Sequence, residues 1–330
     1  MQDWRAGFSS EYNREFWYNS AEACTTYINP FGDEKSMQGW QEYMSQSHGA
    51  RYWQNKYSGA TSWTEPSNIK AHVAIIVPFR DLHMEQKRSA HLKKFVAGMS
   101  TFLKSAFVPF RIYIIEQSDD QRKFNRGKLL NIGYDIAKRE GFDTFIFHDV
   151  DLLPSLNMMH SYRMKPEGMS PVHIAKVWSR YNNNPNYFGG IVSFTEQQFE
   201  AINGFPNNFW GWGGEDDEMI VRSKEQGLIP VAPREGDIED MEDMSLEEKL
   251  DHLRGHQEWK CQKKKELLQE HATTWADNGL SNLQNTDKMI QQRVQLSSDC
   301  VKITVDIGLS AGKLNSHWSN LEASINFLNK

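Results

Sequence analysis

Short apolar runs alternate with a stretch of helical periodicity from about residue 70 onward. The runs "HVAIIVPF", "FRIYIIEQ" and "DTFIFHDVDLLP" are rich in β-branched and aromatic residues, which predicts buried strands. Between the last two, "GKLLNIGYDIAKREG" has apolar residues at helical spacing and ends at a glycine, which predicts a helix. This alternation predicts an α/β domain built on a parallel sheet that helices cover.

The first 70 residues have a different pattern, in which aromatic, β-prone runs are separated by polar turns and occur twice. The segment "WRAGFSSEYNREFW" is followed at one constant offset, without gaps, by "WQEYMSQSHGARYW". Each copy therefore predicts a small antiparallel meander. The matching pairs are Trp4 and Trp40, Phe16 and Tyr52, Trp17 and Trp53, Asn19 and Asn55, Thr25 and Thr61, Tyr27 and Trp63, and Pro30 and Pro66.

The second copy resembles a WW domain from its opening Trp40 to its closing Pro66. The resemblance implies a slot, lined by Tyr52, Thr61 and Trp63, that binds proline-rich segments through their preformed polyproline II helix. The first copy has a tyrosine where the second tryptophan is expected. The alternative is that both repeats only pack against the remainder of the chain.

Composition narrows the class of protein. The 330 residues are 39% hydrophobic, with a net charge of −6 and a pI near 6.0, so a globular protein without the basic stripe of a nucleic-acid binder is expected. The three cysteines lie far apart, without metal-binding or disulfide-framework spacing. Neither a membrane helix nor a secretory signal is visible, which predicts a soluble, cytoplasmic chain.

Two carboxylates, Asp149 and Asp151, follow the apolar run "TFIF". Ligands of parallel sheets bind beyond the carboxyl ends of the strands, and at strand spacing the two side chains point to the same face. Paired carboxylates attract a divalent cation such as manganese or magnesium, whose open positions accept phosphate oxygens. The pair therefore predicts a site for a metal and a nucleotide diphosphate, although the same spacing also occurs in ordinary loops.

The segment "FWGWGGEDDEM" places tryptophans and glycines directly before four carboxylates. Seen alone, it predicts a glycine-rich turn with a core tryptophan and a solvated acidic face. The ordered series "VPFRD", "FNRGKLLNIGY", "FHDVDLLP", "YFGGIVSFTEQQFEAINGFPNNFWGWGGEDDEM", "DNGLSNL" and "ITVDIG" resembles the β-1,4-galactosyltransferase family over roughly residues 71 to 308. The resemblance implies a GT-A glycosyltransferase that uses a UDP-sugar and manganese and inverts the anomeric centre. Because this family is usually anchored in the Golgi, the resemblance also makes the Golgi lumen the alternative location if this chain is part of a longer one.

The family pattern implies a role for each motif. Asp216 is the expected base, Glu215 and Asp217 orient acceptor and donor hydroxyls, and Tyr187 fills the space of an N-acetyl group, which favours galactose as the donor sugar. The other residues implied to bind the donor or its metal are Phe79, Arg80, Phe124 and Arg126 for uridine and diphosphate, Asp149 facing the nucleotide, Asp151 on the metal, and Trp212 as a mobile lid with Gly213 and Gly214.

The sequence departs from the family pattern at two points. Many relatives have a second arginine two places after the first, where this chain has Leu82, so the diphosphate is expected to be held from elsewhere. Relatives take further metal ligands from a Met-x-x-His or His-x-His segment that is not evident here. Counting backward from "DNGLSNL" gives His252, whereas counting forward from "GLIPVAP" gives residues 242 to 245. His252 is the predicted ligand, with His256, Met241 or an acidic neighbour as alternatives. Oxygen ligands in place of methionine would let magnesium replace manganese.

The sequence thus predicts four segments: a degenerate WW-like repeat at 1–33, a WW domain at 36–68, a GT-A catalytic domain at 70–310 and a carboxyl-terminal tail at 311–330. The predicted activity is transfer of galactose from UDP-galactose to the hydroxyl of a glycan acceptor in β-1,4 linkage, with proline-rich segments as partners. The alternatives are transfer of N-acetylgalactosamine or another UDP-hexose, and a non-catalytic scaffold that uses its WW repeats.

Overall fold

A computed structural model describes residues 4–9, 14–19, 24–26, 40–45, 49–55, 61–62, 72–81, 86–105, 109–180, 184, 186–283 and 285–308. The strands are β1 (Trp4–Ser9), β2 (Arg14–Asn19), β3 (Cys24–Thr26), β4 (Trp40–Ser45), β5 (Ala50–Asn55), β6 (Thr61–Ser62), β7 (Val73–Phe79), β8 (Phe110–Gln117), β9 (Thr144–His148), β10 (Leu152–Pro154), β11 (Val172–His173), β12 (Ile191–Thr195), β13 (Ile238–Asp240), β14 (Ile290–Ser297) and β15 (Cys300–Val305). The α-helices are α1 (Arg88–Ser105), α2 (Arg126–Arg139), α3 (Met159–Arg163), α4 (Glu196–Ala201), α5 (Glu215–Glu225), α6 (Leu246–Gly255), α7 (Lys264–Gln269) and α8 (His271–Thr274).

The largest sheet has seven strands in the order β11-β12-β9-β7-β8-β15-β14. Its centre is parallel, because β7 pairs in parallel with β8 and β9, and β8 does so with β15. Its outer pairs are antiparallel, namely β12 with β9, β11 with β12 and β14 with β15. The three predicted strands and the predicted helix are confirmed, whereas the parallel sheet is confirmed only for its centre.

The central strands are buried on both faces. Ala74 and Ile76 of β7 pack on the side of α2, while Ile75 and Val77 pack on the side of α1. A Cβ built on Gly133 of α2 would overlap Ile76, so this glycine allows the helix to approach the sheet closely. The result is a rigid layer whose strand ends can hold polar side chains in fixed positions.

The two repeats form separate three-stranded antiparallel sheets, β1-β2-β3 and β4-β5-β6. Their registers are equivalent, since Trp4 pairs with Asn19 and Trp40 pairs with Asn55. The predicted meander is therefore confirmed for the backbone of both copies. Of the predicted slot residues, Tyr52 lies in β5 and Thr61 in β6, and Trp63 lies outside the described residues, as does the tail at 311–330.

Two further expectations can be compared with the described residues. Cys261 and Cys300 are both buried free thiols, in agreement with the absence of a disulfide framework around them. In the part of the chain that the structure covers, none of the helices combines the length and apolar character needed to cross a bilayer.

Candidate active site

The predicted D-x-D motif lies just beyond the carboxyl end of β9. The strand ends at His148, and the Asp149 N–H donates to the Gly190 carbonyl at 2.9 Å, which ties the motif to the start of β12. Asp149 and Asp151 lie in the turn after β9 rather than in the strand, so the strand spacing from which a shared face was predicted does not apply to them. The two carboxylates instead bind different arginines, Arg126 and Arg88.

Asp149 belongs to a group of charged residues that we call the Arg126 cluster: Arg126, Asp149, Glu215 and Asp216. Asn125 caps α2 by accepting from the Lys128 N–H at 2.9 Å, which places Arg126 at the first position of that helix. The Arg126 guanidinium lies 2.8 Å from Asp149 Oδ1 and 3.5 Å from Glu215 Oε1. One side chain thus joins the end of β9 to the first turn of α5, and the D-x-D and "GGEDD" motifs share one pocket.

The Arg126 cluster has one cation for three carboxylates. Burial and the adjacent Asp216 charge raise the pKa of Glu215 to about 7, although Arg126 opposes the shift. Burial, followed by the charge of Asp217, raises the pKa of Asp216, and burial also raises the pKa of Asp149 against the attraction of Arg126. Carboxylates in such surroundings are suited to accept a proton near neutral pH.

Asp216 lies against the segment that contains Tyr187. A Cβ built on Gly189 would lie 2.7 Å from Asp216 Oδ2 and 2.9 Å from Tyr187 Cε2, so only glycine lets the two side chains come this close. The Tyr187 ring meets His173 edge to face at 5.2 Å between centroids. Predicted base and predicted sugar-selecting residue are therefore neighbours in the same pocket.

Trp212 lies beside this pocket with 42% of its surface exposed. Its N–H donates to the Trp259 carbonyl at 2.7 Å, and its carbonyl accepts from the Cys261 N–H at 3.1 Å. Gly213 and Gly214 follow with φ of 95° and 111°, values that favour glycine. The predicted lid is thus a glycine turn whose tryptophan is bonded through its backbone to the segment after α6.

The motifs predicted to hold uridine and diphosphate lie at the ends of neighbouring strands. Phe79 ends β7 and is buried, and Phe124 is partly buried against the core. The Arg80 guanidinium donates to the Arg122 carbonyl at 2.5 Å and to Asp120 Oδ1 at 3.2 Å. The loop after β8 therefore fixes the orientation of Arg80.

Asp151 lies in a second group of charged residues, which we call the Arg88 cluster: Arg88, Asp151, Arg180, Asp240, Glu242 and Lys249. Arg88 begins α1, and its two terminal nitrogens lie 2.6 Å from Asp151 Oδ2 and 2.6 Å from Glu242 Oε1. Lys249 lies 2.5 Å from the same Glu242 oxygen, and Arg180 lies 2.9 Å from the other. Arg180 also pairs with Asp240.

Three cations balance three carboxylates in the Arg88 cluster. Burial would raise the pKa of Asp151, but the attraction of Arg88 outweighs it and lowers the pKa to about 2. Burial and the Asp151 charge would likewise raise the pKa of Glu242, but Arg88 and Lys249 outweigh both and lower it. Asp240 differs, because burial raises its pKa. Asp151 and Glu242 are thus ionised throughout the physiological range.

The chemistry of this donor set fits a hard divalent cation. Two ionised carboxylates, Asp151 and Glu242, converge on one positive group, and oxygen ligands are those that magnesium and manganese accept. Among the described residues, no three His, Cys, Asp or Glu side chains form a metal-binding group. The prediction that His252 binds the metal stays a prediction; its ring packs against His256 at 4.8 Å and against Trp259 at 5.2 Å between centroids.

Sequence reasoning missed Arg88, Arg180 and Lys249, and it reached Glu242 only through one of two conflicting counts. A signal existed for Arg88, since α1 begins with an arginine and has no acidic residue in its first turn, against the preference of the helix dipole. No comparable signal marks Arg180 or Lys249.

Two family models match the chain. One, described as the N-terminal region of glycosyl transferase group 7, covers residues 37–164, and the other, described as the N-terminal domain of galactosyltransferase, covers residues 170–245. Mouse β-1,4-galactosyltransferase 1 is 40% identical over 165 residues, which are 49% of this chain and 39% of the relative. Human β-1,4-galactosyltransferase 4 is 32% identical over 255 residues, 74% of this chain and 67% of the relative.

Solved structures agree with these matches. The catalytic domain of Drosophila β-1,4-galactosyltransferase 7 in complex with xylobiose has a TM-score of 0.59 and 28% identity, covering 74% of this chain and 98% of that one. A mutant of the same enzyme in complex with manganese, UDP-Gal and xylobiose has a TM-score of 0.58 and 29% identity over the same shares. The chain therefore has a GT-A glycosyltransferase fold. It belongs to the β-1,4-galactosyltransferase family.

Proposed function

We propose that this protein is an inverting glycosyltransferase that moves galactose from UDP-galactose to a sugar hydroxyl, in a β-1,4 linkage. The observation that supports the proposal most directly is the bridge from Asp149 through Arg126 to Glu215. It brings the motif expected to bind the donor and the helix expected to supply the base to one pocket. The solved fly relative, which binds UDP-Gal and xylobiose, supports the same chemistry.

In this proposal Asp216 is the general base. Its Oδ2 faces the space beside Gly189, and its raised pKa, caused first by burial, suits a proton acceptor. The acceptor O–H bond breaks toward Asp216 while the acceptor oxygen bonds to the galactose C1. The bond from C1 to the phosphate oxygen breaks at the opposite face, and its electrons leave with UDP. One in-line displacement inverts the anomeric centre.

The donor's diphosphate lies, in the proposal, between Arg80 and Arg88. Guanidinium groups bind phosphate oxygens with two parallel hydrogen bonds, and both arginines are oriented by partners within the protein. Arg88 would thereby supply, from the start of α1, the second arginine that is missing where this chain has Leu82. Phe79 and Phe124 are proposed to flank the uridine.

Asp151 is proposed to hold a divalent cation, manganese or magnesium. When bound, such an ion supplies positive charge that stabilises the UDP leaving group. Trp212 is proposed to cover the sugar and exclude water, with Gly213 and Gly214 as its hinge, while Glu215 and Asp217 orient hydroxyl groups. The Lys264 ammonium, 2.5 Å from Asp217 Oδ2, fixes the position of that carboxylate.

Tyr187 is proposed to select galactose over N-acetylgalactosamine. Its hydroxyl would lie 2.7 Å from a Cβ on Gly190, so the ring is held against the strand end and fills space that an N-acetyl group needs. Tyr187→Ala should therefore raise the rate with UDP-N-acetylgalactosamine relative to UDP-galactose. An unchanged ratio of the two rates would remove Tyr187 from this role.

The decisive experiment incubates the full chain with UDP-galactose, manganese and a panel of acceptors that includes xylosides and N-acetylglucosamine. Product formation, with the linkage assigned by NMR, supports the proposal. UDP release without acceptor would show donor hydrolysis and leave only the acceptor to be found. A folded protein that neither binds UDP nor releases it would contradict the proposal and favour a scaffold.

We further propose that the second repeat is a WW domain that docks proline-rich segments through Tyr52, Thr61 and Trp63. The support is the three-stranded sheet β4-β5-β6 with the register of the first copy. Titration of the full chain against PPxY and polyproline peptides tests it. Absence of binding to every peptide, with the chain folded, would show that the repeats have only a packing role.

A further inference from the structure

We propose that Asp151 and Glu242 are paired ligands of the divalent cation, and that Arg88 occupies their place until the cation and the diphosphate bind. The inference rests on the proposed function and goes beyond it. Glu242 lies two residues after β13, and together with Asp151 it would make the protein part of the site consist of oxygen ligands alone.

The backbone fixes Glu242 beside Asp151. Strands β10 and β13 pair antiparallel, with Leu152 opposite Asp240. The pairing continues past the strand end, because the Met241 N–H donates to the Asp151 carbonyl at 2.8 Å. Glu242 is the next residue. Its position therefore follows from sheet pairing and not from the choice of a side-chain rotamer.

The geometry of the arginine shows that the two carboxylates converge. Arg88 donates from its two terminal nitrogens at 2.6 Å each, to Asp151 Oδ2 and Glu242 Oε1. Both nitrogens are bonded to one guanidinium carbon, so the two oxygens face a single positive centre. Cations that bind nucleotide phosphates use one or two carboxylates and complete their shell with phosphate oxygens and water. A pair of carboxylates therefore suffices, without a third protein ligand.

Arg88 can leave this position without exposing an unpaired charge. Glu242 keeps Lys249 at 2.5 Å and Arg180 at 2.9 Å, and the incoming cation replaces the positive charge beside Asp151. The released guanidinium has five donors that match diphosphate oxygens. The arrangement predicts that cation and diphosphate favour each other's binding, because each draws Arg88 in the same direction.

The competing interpretation is that Arg88 and Lys249 replace the metal altogether. It requires Arg88 to keep both carboxylates while it also neutralises the diphosphate. The donors of Arg88 that face Asp151 and Glu242 are already used, so the exchange accounts better for the geometry.

The test is calorimetric titration of Mn²⁺ into the full chain, with and without UDP. Glu242→Gln should weaken Mn²⁺ binding by at least about tenfold. Glu239→Gln is the matched control, since it makes the same change three residues earlier, in β13, at an exposed carboxylate paired with Lys94, and it should leave binding unchanged. Arg88→Met should tighten Mn²⁺ binding without UDP and weaken UDP binding. The corresponding control, Arg111→Met, removes an arginine that pairs with Glu140 and should change neither.

A measurement on the wild-type chain keeps the inference testable if a variant does not fold. With oxygen ligands only, Mg²⁺ should displace Mn²⁺ within about a tenfold excess, because neither ion gains from a nitrogen or sulfur ligand. Failure of Mg²⁺ to compete, or wild-type affinity in a folded Glu242→Gln, would overturn the inference. UDP binding by a protein that never binds Mn²⁺ would overturn it too, in favour of metal-free transfer. Absence of UDP binding under every condition would instead contradict the proposed function.

Discussion

The Arg126 cluster and the Arg88 cluster lie on the two sides of one short turn, and their charges are balanced differently. In the Arg126 cluster, Asp149, Glu215 and Asp216 share one guanidinium, and Lys264 adds its attraction to Asp216 from beside Asp217. The pKa of each of the three carboxyl groups is nevertheless raised, first by burial. Around Arg88, three cations face three carboxylates, and the pKa of Asp151 falls to about 2. Asp149 and Asp151 are only two residues apart, but they belong to clusters of different character. The Arg126 cluster is suited to proton transfer, and the Arg88 cluster keeps its carboxylates ionised.

The largest expected effect is that of Asp216→Asn. Loss of the base should lower the rate of transfer by about 10²–10⁴-fold while UDP-galactose still binds. Rate and donor affinity are measured separately, by UDP release and by calorimetry. Glu196→Gln, an exposed carboxylate paired with Lys138, is the control and should retain full activity. Undiminished transfer by Asp216→Asn would show that Asp216 is not the base, so the Arg126 cluster would no longer be distinguished by proton transfer.

Glu215→Gln should stabilise the protein above neutral pH. The pKa of Glu215 is raised to about 7 from its ordinary 4.5, so at pH 8 its ionised form is less stable in the folded than in the unfolded state. Removing that charge should raise the free energy of unfolding by about 3 kcal/mol. The gain should shrink as the pH falls from 7 to 4.5, because the wild-type Glu215 is then neutral in the folded state and becomes neutral in the unfolded state as well. Urea unfolding of both proteins at pH 8 and at pH 4 measures the gain. An equal gain at the two pH values would contradict the raised pKa of Glu215.

Asp151→Asn should instead lower the free energy of unfolding at neutral pH. The pKa of Asp151 is depressed to about 2, so its contribution is fully present above its unfolded pKa and is lost as pH falls through the folded value. The substitution should cost about 2 kcal/mol at pH 7, and the cost should vanish toward pH 2. If Asp151→Asn and Glu215→Gln shift stability in the same direction at pH 8, the proposed contrast between the clusters is wrong.

His271 lies between two carboxylates, as Arg88 does, but its charge can titrate near neutral pH. Its ring nitrogens lie 2.7 Å from Glu218 Oε1 and 2.8 Å from Glu225 Oε2. Burial would lower its pKa, but the two carboxylates outweigh burial and raise it. Its stabilisation is therefore full below the unfolded pKa and is lost as pH rises through the folded value. His271→Gln should cost about 1 kcal/mol at pH 5 and less at pH 9, whereas a cost that grows with pH would contradict this sign.

The sequence predicted the place of a residue in the fold where its motif is contiguous, while the roles of these residues stay predictions. Asp149 follows a strand that its own apolar run predicts, and Asp216 follows a glycine pair that ends a distinctive block. The position of Glu242 was harder to predict, because it depends on the pairing of β10 with β13. The forward and backward counts through its segment also disagree. His252 was reached by the backward count and stays a prediction; its ring packs against His256 and Trp259.

Arg88 illustrates the same limit. It is followed by a predictable helix, but its contact with Asp151 joins residues 63 positions apart, and only the packing of α1 against the sheet creates it. The seven-stranded sheet was predicted in its parallel centre and missed at its edges for a similar reason. The antiparallel pairs β11–β12 and β14–β15 are short or half-exposed, so their apolar pattern is weak.

The backbone pairing of Trp212 joins the proposed lid to a second segment of the chain, from Trp259 to Cys261. Any swing of the indole must either break the bonds to Trp259 and Cys261 or move that segment as one body, together with the start of α7. In the second case the amides of Trp212 and Cys261 should exchange with deuterium at a common rate, and a ligand that closes the lid should slow both in parallel. The ring of Trp259, which stacks on His256 at 3.9 Å between centroids, would then move together with Trp212.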